Sequence, residues 1–337
     1  MTSRTVRTST HLPVIDLGGL PDDEDAETVI GQRIDDVFRN FGFCYFSHTG
    51  IDPTLVSAVF NASRRFHALP MSSKLAIAMN SFHRGYMESK SSLLETSSVA
   101  RVTQPNDSES FMLMHEVLPE DPRYGTEVNG PNLWPADLPG FREPVQAYDR
   151  AMREFCMRLL RPIARALGMP PDTFQRHFRQ PTTFLRLLHY PPQASSAPDD
   201  AYGSAPHTDF GFITILAQDD VGGLEVRPRG GDWIAAPPLP GTFVVNVADM
   251  LAGWTNDRWQ STPHRVKNLS GVDRYSCPWF FDMDLDCLVT CLDSCHGPAD
   301  PPRYAPVRYG DYLMERLNRN YRYRRQTAAP MPSPSAA

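Results

Sequence analysis

His207 and Asp209, separated by a threonine, and His264 further along are the residues of this chain best suited to chemistry. Side chains two apart on a β-strand point to the same face, so His207 and Asp209 are expected to face one point. A second histidine from a neighbouring strand would complete a face of two imidazoles and one carboxylate. That donor set leaves coordination positions open and suits Fe(II) in oxygen chemistry. Zinc is the rival, since it also takes His and Asp with an open position. Each histidine alone would have an ordinary structural explanation; the pairing with Asp209 is what singles them out.

Arg274 and Ser276 follow, again two apart, on the segment RYSCPWFF. A guanidinium offers a planar fork to a carboxylate, and a serine hydroxyl can donate to the same group. An Arg-x-Ser pair alone is weak, but its place after His264 makes a carboxylate-bearing co-substrate such as 2-oxoglutarate the natural ligand. A zinc hydrolase would have no need of such a clamp. Tyr190, in LLHYPP, is expected to add a donor from an adjacent strand. Under strict alternation Arg186 shares the inward face with Tyr190 and would hold an acidic group of the substrate or co-substrate. The competing reading turns Arg186 to solvent or to a structural aspartate. Phe111, Trp279 and Phe281 are expected as further walls of the substrate pocket.

The elements that position these residues change character along the chain. The N-terminal half reads mainly helical. Ile30, Ile34, Val37 and Phe38 repeat at helical spacing after an acidic first turn, with Gly42 as a stop. A second helix ends near Leu69-Pro70, and a long one runs from about Glu143 to Leu167, with Gly168 as its stop. Residues 72–140 carry few periodic signals. From Thr182 onward short apolar runs alternate with Gly, Pro and Asp, the texture of an antiparallel sandwich or barrel. Helices first and strands later predict an α+β fold: a double-stranded β-helix (jelly-roll, cupin-like) core with an N-terminal helical layer and a C-terminal helix at Tyr309–Asn320. Residues 11–325 read as a single domain, helical over 11–180 and jelly-roll over about 181–290. Residues 1–10 and 328–337 read as disordered tails.

Bulk properties narrow the partners. The chain has 337 residues, a net charge of −6 and 41% hydrophobic residues. That balance gives no electrostatic case for nucleic acid or an anionic membrane surface. The basic run from Arg319 to Arg325 reads as the solvated end of a helix. No stretch approaches the ~20 apolar residues of a membrane span, and the N-terminus lacks the apolar core of a secretion signal. A cytoplasmic enzyme acting on a small molecule is expected, with oligomeric state left open. Cys287, Cys291 and Cys295 recur every four residues, unlike the CxxC pairs of zinc sites. On a strand such neighbours stand about 13 Å apart, so buried thiols are expected instead of a second metal.

Over roughly residues 12–325 the chain resembles the isopenicillin N synthase-like Fe(II)/2-oxoglutarate dioxygenases. The likeness runs through LPVIDL, GFCYFSHTGI, FLRLLHYPP, HTDFGFITIL, VGGLEV, GTFVVNVADML, STPHRVKN and RYSCPWFF. It implies iron on His207, Asp209 and His264, the co-substrate carboxylate on Arg274 and Ser276, and use of O2 with release of succinate and CO2. Hydroxylation is the commonest outcome; desaturation and ring closure use the same iron. The Asn-Tyr-Tyr-Pro of plant members becomes Leu188-His189-Tyr190-Pro191, so their asparagine contact is lost and only Tyr190 carries over. Three alternatives stand beside this reading. Oxidases of the isopenicillin N synthase type place the substrate itself on the Arg-x-Ser pair. The ethylene-forming enzyme, similar in AQDDVGGLEVRP and STPHRVK, fragments 2-oxoglutarate. A non-catalytic ligand-binding jelly roll is the reading from a different class.

Overall fold

A computed structural model describes residues 11–20, 24–92, 99, 102–194, 196–198, 200–321 and 323–324. The expected tails, 1–10 and 328–337, lie outside the described residues. In the N-terminal half the chain forms β1 (Val14–Asp16), α1 (Glu24–Asn40), β2 (Phe43–Ser47), α2 (Pro53–His67), α3 (Met71–Leu75), β3 (Gly85–Met87), β4 (Glu109–Met114) and α4 (Arg142–Ala166). The strand-rich half follows: β5 (Thr182–Tyr190), β6 (Ser204–His207), β7 (Ile213–Gln218), β8 (Leu224–Val226), β9 (Ile234–Ala235) and β10 (Thr242–Val247). It continues with α5 (Asp249–Trp254), β11 (His264–Val266), β12 (Arg274–Asp282), β13 (Leu288–Val289), β14 (Val307–Arg308) and α6 (Tyr309–Asn320).

Local chemistry explains the helix limits. The acidic residues Glu24, Asp25 and Glu27 in the first turn of α1 complement the positive end of its dipole. The chain leaves α1 at Gly42, whose φ of +64 favours glycine and where a Cβ would meet the Gln260 carbonyl at 2.1 Å. Asp52 caps α2, its Oδ1 accepting from the Thr54 amide at 2.8 Å. Val145, Tyr148, Met152, Cys156, Leu159 and Ile163 form the buried stripe of α4.

Eight strands form one large sheet in the order β1-β2-β10-β7-β12-β5-β4-β3, and four form a smaller sheet, β6-β11-β8-β9. One face of the large sheet packs against α1, α2 and α4 in the main apolar core, which includes Ile215, Leu185, Trp279 and Phe281. Leu188, Tyr190 and Val244 of the large sheet meet Leu224, Val226 and Val266 of the smaller one in a second core. The result is the expected jelly roll with the N-terminal helices on one side of the large sheet.

The N-terminal half is less purely helical than its sequence suggests, because β1 to β4 all join the large sheet. All six residues of β4 are buried, so its sequence ESFMLM shows no alternation. In the basic run near the C-terminus, Arg319 is exposed in the last turn of α6, and Arg322 and Arg325 lie outside the described residues. Beyond the helix, Tyr321 bridges to Ser92, the Tyr323 hydroxyl bonds His83 Nδ1, and Arg324 Nη1 donates to the Ser81 carbonyl at 2.7 Å. All six cysteines are free. Among the described residues no helix is long and apolar enough to cross a membrane.

One close approach ties the sheet to the site. A Cβ on Gly211 would lie 1.6 Å from Asp282 Oδ1. Gly211→Ala is therefore expected to cost about 3 kcal/mol, as overpacking does, read as a lower midpoint in urea unfolding.

Candidate metal centre and carboxylate clamp

His207 closes β6 and His264 opens β11, and the two strands pair with these residues directly opposite. Their ring centroids are 4.2 Å apart. Asp209 lies just past the end of β6 instead of on it, a correction to the strand-alternation argument. The turn that carries it is held by its own carbonyl, which accepts from the Asp249 amide at 2.9 Å. Asp209 Oδ1 stands 3.8 Å from His207 Nε2 and 3.7 Å from His264 Nε2. Among the described residues this trio is the one cluster of His, Cys, Asp or Glu with ligand atoms close enough to hold a metal, all within 4.8 Å of one another.

The surroundings orient each donor atom. His207 Nδ1 donates to the Ala205 carbonyl at 2.7 Å and His264 Nδ1 to the Thr262 carbonyl at 3.2 Å. A carbonyl can only accept, so both protons sit on Nδ1 and both Nε2 lone pairs turn toward Asp209. Asp209 Oδ2 accepts from Thr214 Oγ1 at 2.6 Å and Asn246 Nδ2 at 2.8 Å, which leaves Oδ1 for the common point. Burial, aided by the neighbouring His264, pushes His207 down to about 4, so its imidazole is neutral near pH 7. Burial works against the Asp209 carboxylate, but the charge of His264 and His207 when protonated, with the Thr214 and Asn246 donors, outweighs it and holds its pKa below the ordinary value. Neutral nitrogens and an ionised carboxylate are what a divalent iron requires. Thr214 and Asn246 were not foreseen. Their signal was a lone polar residue in each of FITIL and FVVNV, and they pair directly across β7 and β10.

Arg274 and Ser276 share a face of β12 and are 0% and 1% exposed. Arg274 Nη2 donates to Gln218 Oε1 at 3.0 Å, and the guanidinium lies 4.7 Å from the centre of the Tyr190 ring. Arg274 Nε and Nη1 are buried without a partner. A buried guanidinium with two orphaned donors is costly unless an anion arrives. The arrangement therefore fits the carboxylate of a co-substrate. Tyr190 sits beneath the charge as a cation–π partner, opposite Arg274 in the register of β5 and β12.

The expected pocket walls divide between the two faces of the sheet. Arg186 lines a cavity of about 100 Å³ over His207 and Asp209, together with Met112, Phe184 and Phe280. Phe111, Trp279 and Phe281 do not reach it. Phe111 packs on Phe66 and Phe141, Phe281 stacks on Phe178, and Trp279 Nε1 donates to Asp149 Oδ1 of α4 at 2.7 Å. The reason is phase: Phe280 and Asp282, in step with Arg274 and Ser276 along β12, line the cavity over His207 and Asp209, and alternation sends Trp279 and Phe281 to the helices. On β4 it is Met112 that pairs with Arg186, leaving Phe111 on the helical side. A second cavity of about 970 Å³ adjoins through His207, Thr208 and Phe210, and reaches Tyr304, Tyr312 and Arg316.

Asp282 lies in the wall of the inner cavity, fully enclosed, accepting from the Phe212 amide at 2.8 Å and the Tyr309 hydroxyl at 2.5 Å. Burial pushes its carboxyl up to about 7. A raised folded-state value means stability present at low pH is lost as pH rises from the unfolded value near 4 through 7. Asp282→Asn keeps the Phe212 amide on its one oxygen, reverses the other contact so that its Nδ2 donates to the Tyr309 hydroxyl, and removes that titration. Relative to wild type, the variant is expected to gain about 1 kcal/mol or more between pH 5 and pH 8, read by denaturant unfolding at each pH.

A jelly roll that carries a cluster of two histidines and an aspartate together with a buried arginine left with unpaired donors defines a non-haem iron oxygenase of the 2-oxo-acid type. Residues 181–282 match the 2OG-Fe(II) oxygenase superfamily, and residues 12–137 match the N-terminal region described as non-haem dioxygenase in morphine synthesis. The chain belongs to the 2OG-Fe(II) oxygenase superfamily, an enzymatic family that uses Fe(II), 2-oxoglutarate and O2. It is 34% identical to the 2-oxoglutarate-Fe(II) type oxidoreductase hxnY of Emericella nidulans, over 89% of this chain and 87% of that one. It is also 34% identical to a homoarginine-6-hydroxylase of Oryza sativa subsp. japonica, covering 91% and 94% respectively. Among solved structures, a full-length Neurospora crassa protein in complex with alpha-KG and thymine superposes with a TM-score of 0.81 at 28% identity, over 91% of this chain and 96% of that one. The rice dioxygenase for auxin oxidation gives 0.72 at 28% identity, over 92% and 96%.

Proposed function

We propose that His207, Asp209 and His264 hold Fe(II), that Arg274 and Ser276 hold the far carboxylate of 2-oxoglutarate, and that the enzyme hydroxylates a small organic molecule. Bound iron supplies the oxidising chemistry that converts 2-oxoglutarate and O2 to succinate and CO2 while the substrate is oxidised. The protein's own part is positional. Thr214 and Asn246 hold one oxygen of Asp209 so that the other is presented for coordination. Gln218 and Tyr190 fix the plane of Arg274, and the enclosing sheets keep water from the clamp. Desaturation or ring closure would place the same demands on these residues.

The observation that carries this reading is the Arg274 guanidinium, buried with two donors unpaired in a jelly roll that also holds an oriented His-Asp-His face. Anaerobic addition of Fe(II) and then 2-oxoglutarate to metal-free protein is expected to produce the weak visible charge-transfer band of the chelate. Iron binding without that band would favour an oxidase in which Arg274 holds the substrate itself. Strands from both halves of the chain share one sheet, which supports a single catalytic unit over residues 11–325. Six unpaired cysteines suit a reducing cytoplasm. A net charge of −6 supports a small-molecule substrate over nucleic acid or membrane.

A further inference from the structure

We propose that His189, held as an imidazolium between two carboxylates, is a positioning residue for the Arg274 clamp, so that 2-oxoglutarate binds less tightly once this residue loses its proton; the inference rests on the iron and 2-oxoglutarate reading above. His189 precedes Tyr190 on β5, so its side chain leaves the opposite face of the sheet, toward α2. Its Nδ1 stands 2.8 Å from Glu109 Oε1 on β4, and its Nε2 stands 3.0 Å from Asp273 Oδ1 at the entry to β12. A carboxylate only accepts hydrogen bonds. Both contacts are therefore bonds only when both ring nitrogens carry protons. A neutral ring keeps one bond and turns the lone pair of its other nitrogen onto a carboxylate oxygen.

The cluster around the ring balances with that proton in place. Glu109 Oε2 accepts from Lys74 Nζ at 2.8 Å and from the Tyr86 hydroxyl at 2.5 Å. Lys74 and His189 thus answer Glu109 and Asp273, two charges of each sign. A neutral His189 leaves this bonded quartet one negative charge in excess. From β12 the Tyr275 ring stacks on His189 at 4.8 Å. From α2 come His67, its ring 5.4 Å from that of His189, and Arg64, 5.4 Å from the Tyr275 ring. Burial presses His67 down to about 3, so it stays neutral across the working range. Burial also opposes charge on His189, but Glu109 and Asp273 outweigh it and hold its pKa above the ordinary value. Burial likewise works against Glu109, yet His189, Lys74 and Tyr86 bring its carboxyl down to about 2.

The clamp lies one residue away on both strands. In the register of β5 and β12, His189 stands opposite Tyr275 and Tyr190 opposite Arg274, while Asp273 directly precedes Arg274. The His189–Asp273 contact therefore joins the two strand ends that carry Tyr190 and Arg274. Glu109, opposite His189 in the register of β4 and β5, ties in a third strand. The guanidinium itself is held by Gln218 Oε1 on Nη2 and by the Tyr190 ring, so its aim depends on where β12 starts. Once the ring is neutral, Asp273 is released, the entry to β12 is free to shift, and Arg274 shifts with it. The strap is complete below the raised value of His189 and is lost as pH rises through it.

The test is titration of the anaerobic Fe(II) enzyme with 2-oxoglutarate from pH 6 to pH 9, read by the charge-transfer band. The dissociation constant is expected to rise about fivefold or more across that range, at the low end of couplings between sites because Asp273 is half exposed. His189→Gln offers a donor to one carboxylate only, so its affinity should be independent of pH and as weak as that of wild type at pH 9. Asp273→Asn should also flatten the profile, but at the tight end, since the new amide can donate to a neutral His189 that itself donates to Glu109. Iron affinity at pH 7, which a general loosening of the fold lowers, should be the same in all three proteins. A wild-type affinity unchanged by pH, or a pH dependence that survives His189→Gln, overturns the inference. So does an Asp273→Asn profile as weak as that of His189→Gln, or a parallel loss of iron affinity. Absence of the band at every pH in wild-type enzyme would instead refute the underlying co-substrate reading.

Discussion

Arg274→Leu is expected to weaken 2-oxoglutarate binding by about 30-fold or more while making the unliganded protein more stable. The two effects share one cause. Arg274 is buried with its Nε and Nη1 unpartnered, so the free enzyme bears the cost of a charge without a counterion. Leucine removes that cost, and the urea midpoint of the metal-free protein should rise. The same substitution deletes a buried charge-assisted pair worth about 2–5 kcal/mol, equivalent to about 30- to 4000-fold in affinity. Wild-type enzyme should gain about 2.7 kcal/mol of stability from 2-oxoglutarate at a hundred times its dissociation constant; at the same concentration the variant should gain less than about 1 kcal/mol. A variant that is less stable without ligand, or that gains as much from it as wild type, would remove Arg274 from the clamp. Ser276→Ala should show a milder loss of about tenfold, one hydrogen bond to a charged group.

Asp209→Ala is expected to eliminate succinate release and to weaken iron binding by more than about 100-fold. The carboxylate supplies the only negative charge of the trio, and its Oδ1 lies within 4 Å of both imidazole Nε2 atoms. Losing a residue that merely orients a ligand costs about 10- to 100-fold in metal affinity, so loss of the ligand itself should exceed that range. Thr214→Val provides the graded control. It removes the 2.6 Å hydrogen bond to Asp209 Oδ2 without touching a ligand atom, and about a tenfold loss is expected. Equilibrium dialysis against Fe(II) under argon reads both. Equal losses for the two variants would mean that Asp209 acts only through the structure of its turn.

Part of the candidate site is legible in the sequence. His207, Asp209, His264, Arg274 and Ser276 stand out as candidates because the proposed chemistry depends on residue type and on spacing along short strands, and the structure brings His207, Asp209 and His264 together. The pocket walls were not. Trp279 and Phe281 attracted notice as large aromatic residues near the clamp, yet the alternation set by Arg274 and Ser276 already excluded them in favour of Phe280. Phe111 failed for another reason: β4 is buried on both faces, so its sequence holds no trace of which face meets the metal. Thr214 and Asn246 left a faint trace, single polar residues in apolar strands, and their shared purpose emerged only from the pairing of β7 with β10.

The sequence by itself determined the donor types, the helix limits at Gly42 and Gly168, and the family to which the chain belongs. These follow from local chemistry: capping, positive φ and ligand preference. Tertiary structure alone decided that Asp209 reaches the histidines from a turn, that His189 stands between Glu109 and Asp273, and that α6 and Tyr321 border the inner cavity. Each depends on segments far apart in the chain meeting in the fold, and no local pattern encodes the distance between a charge and its partner.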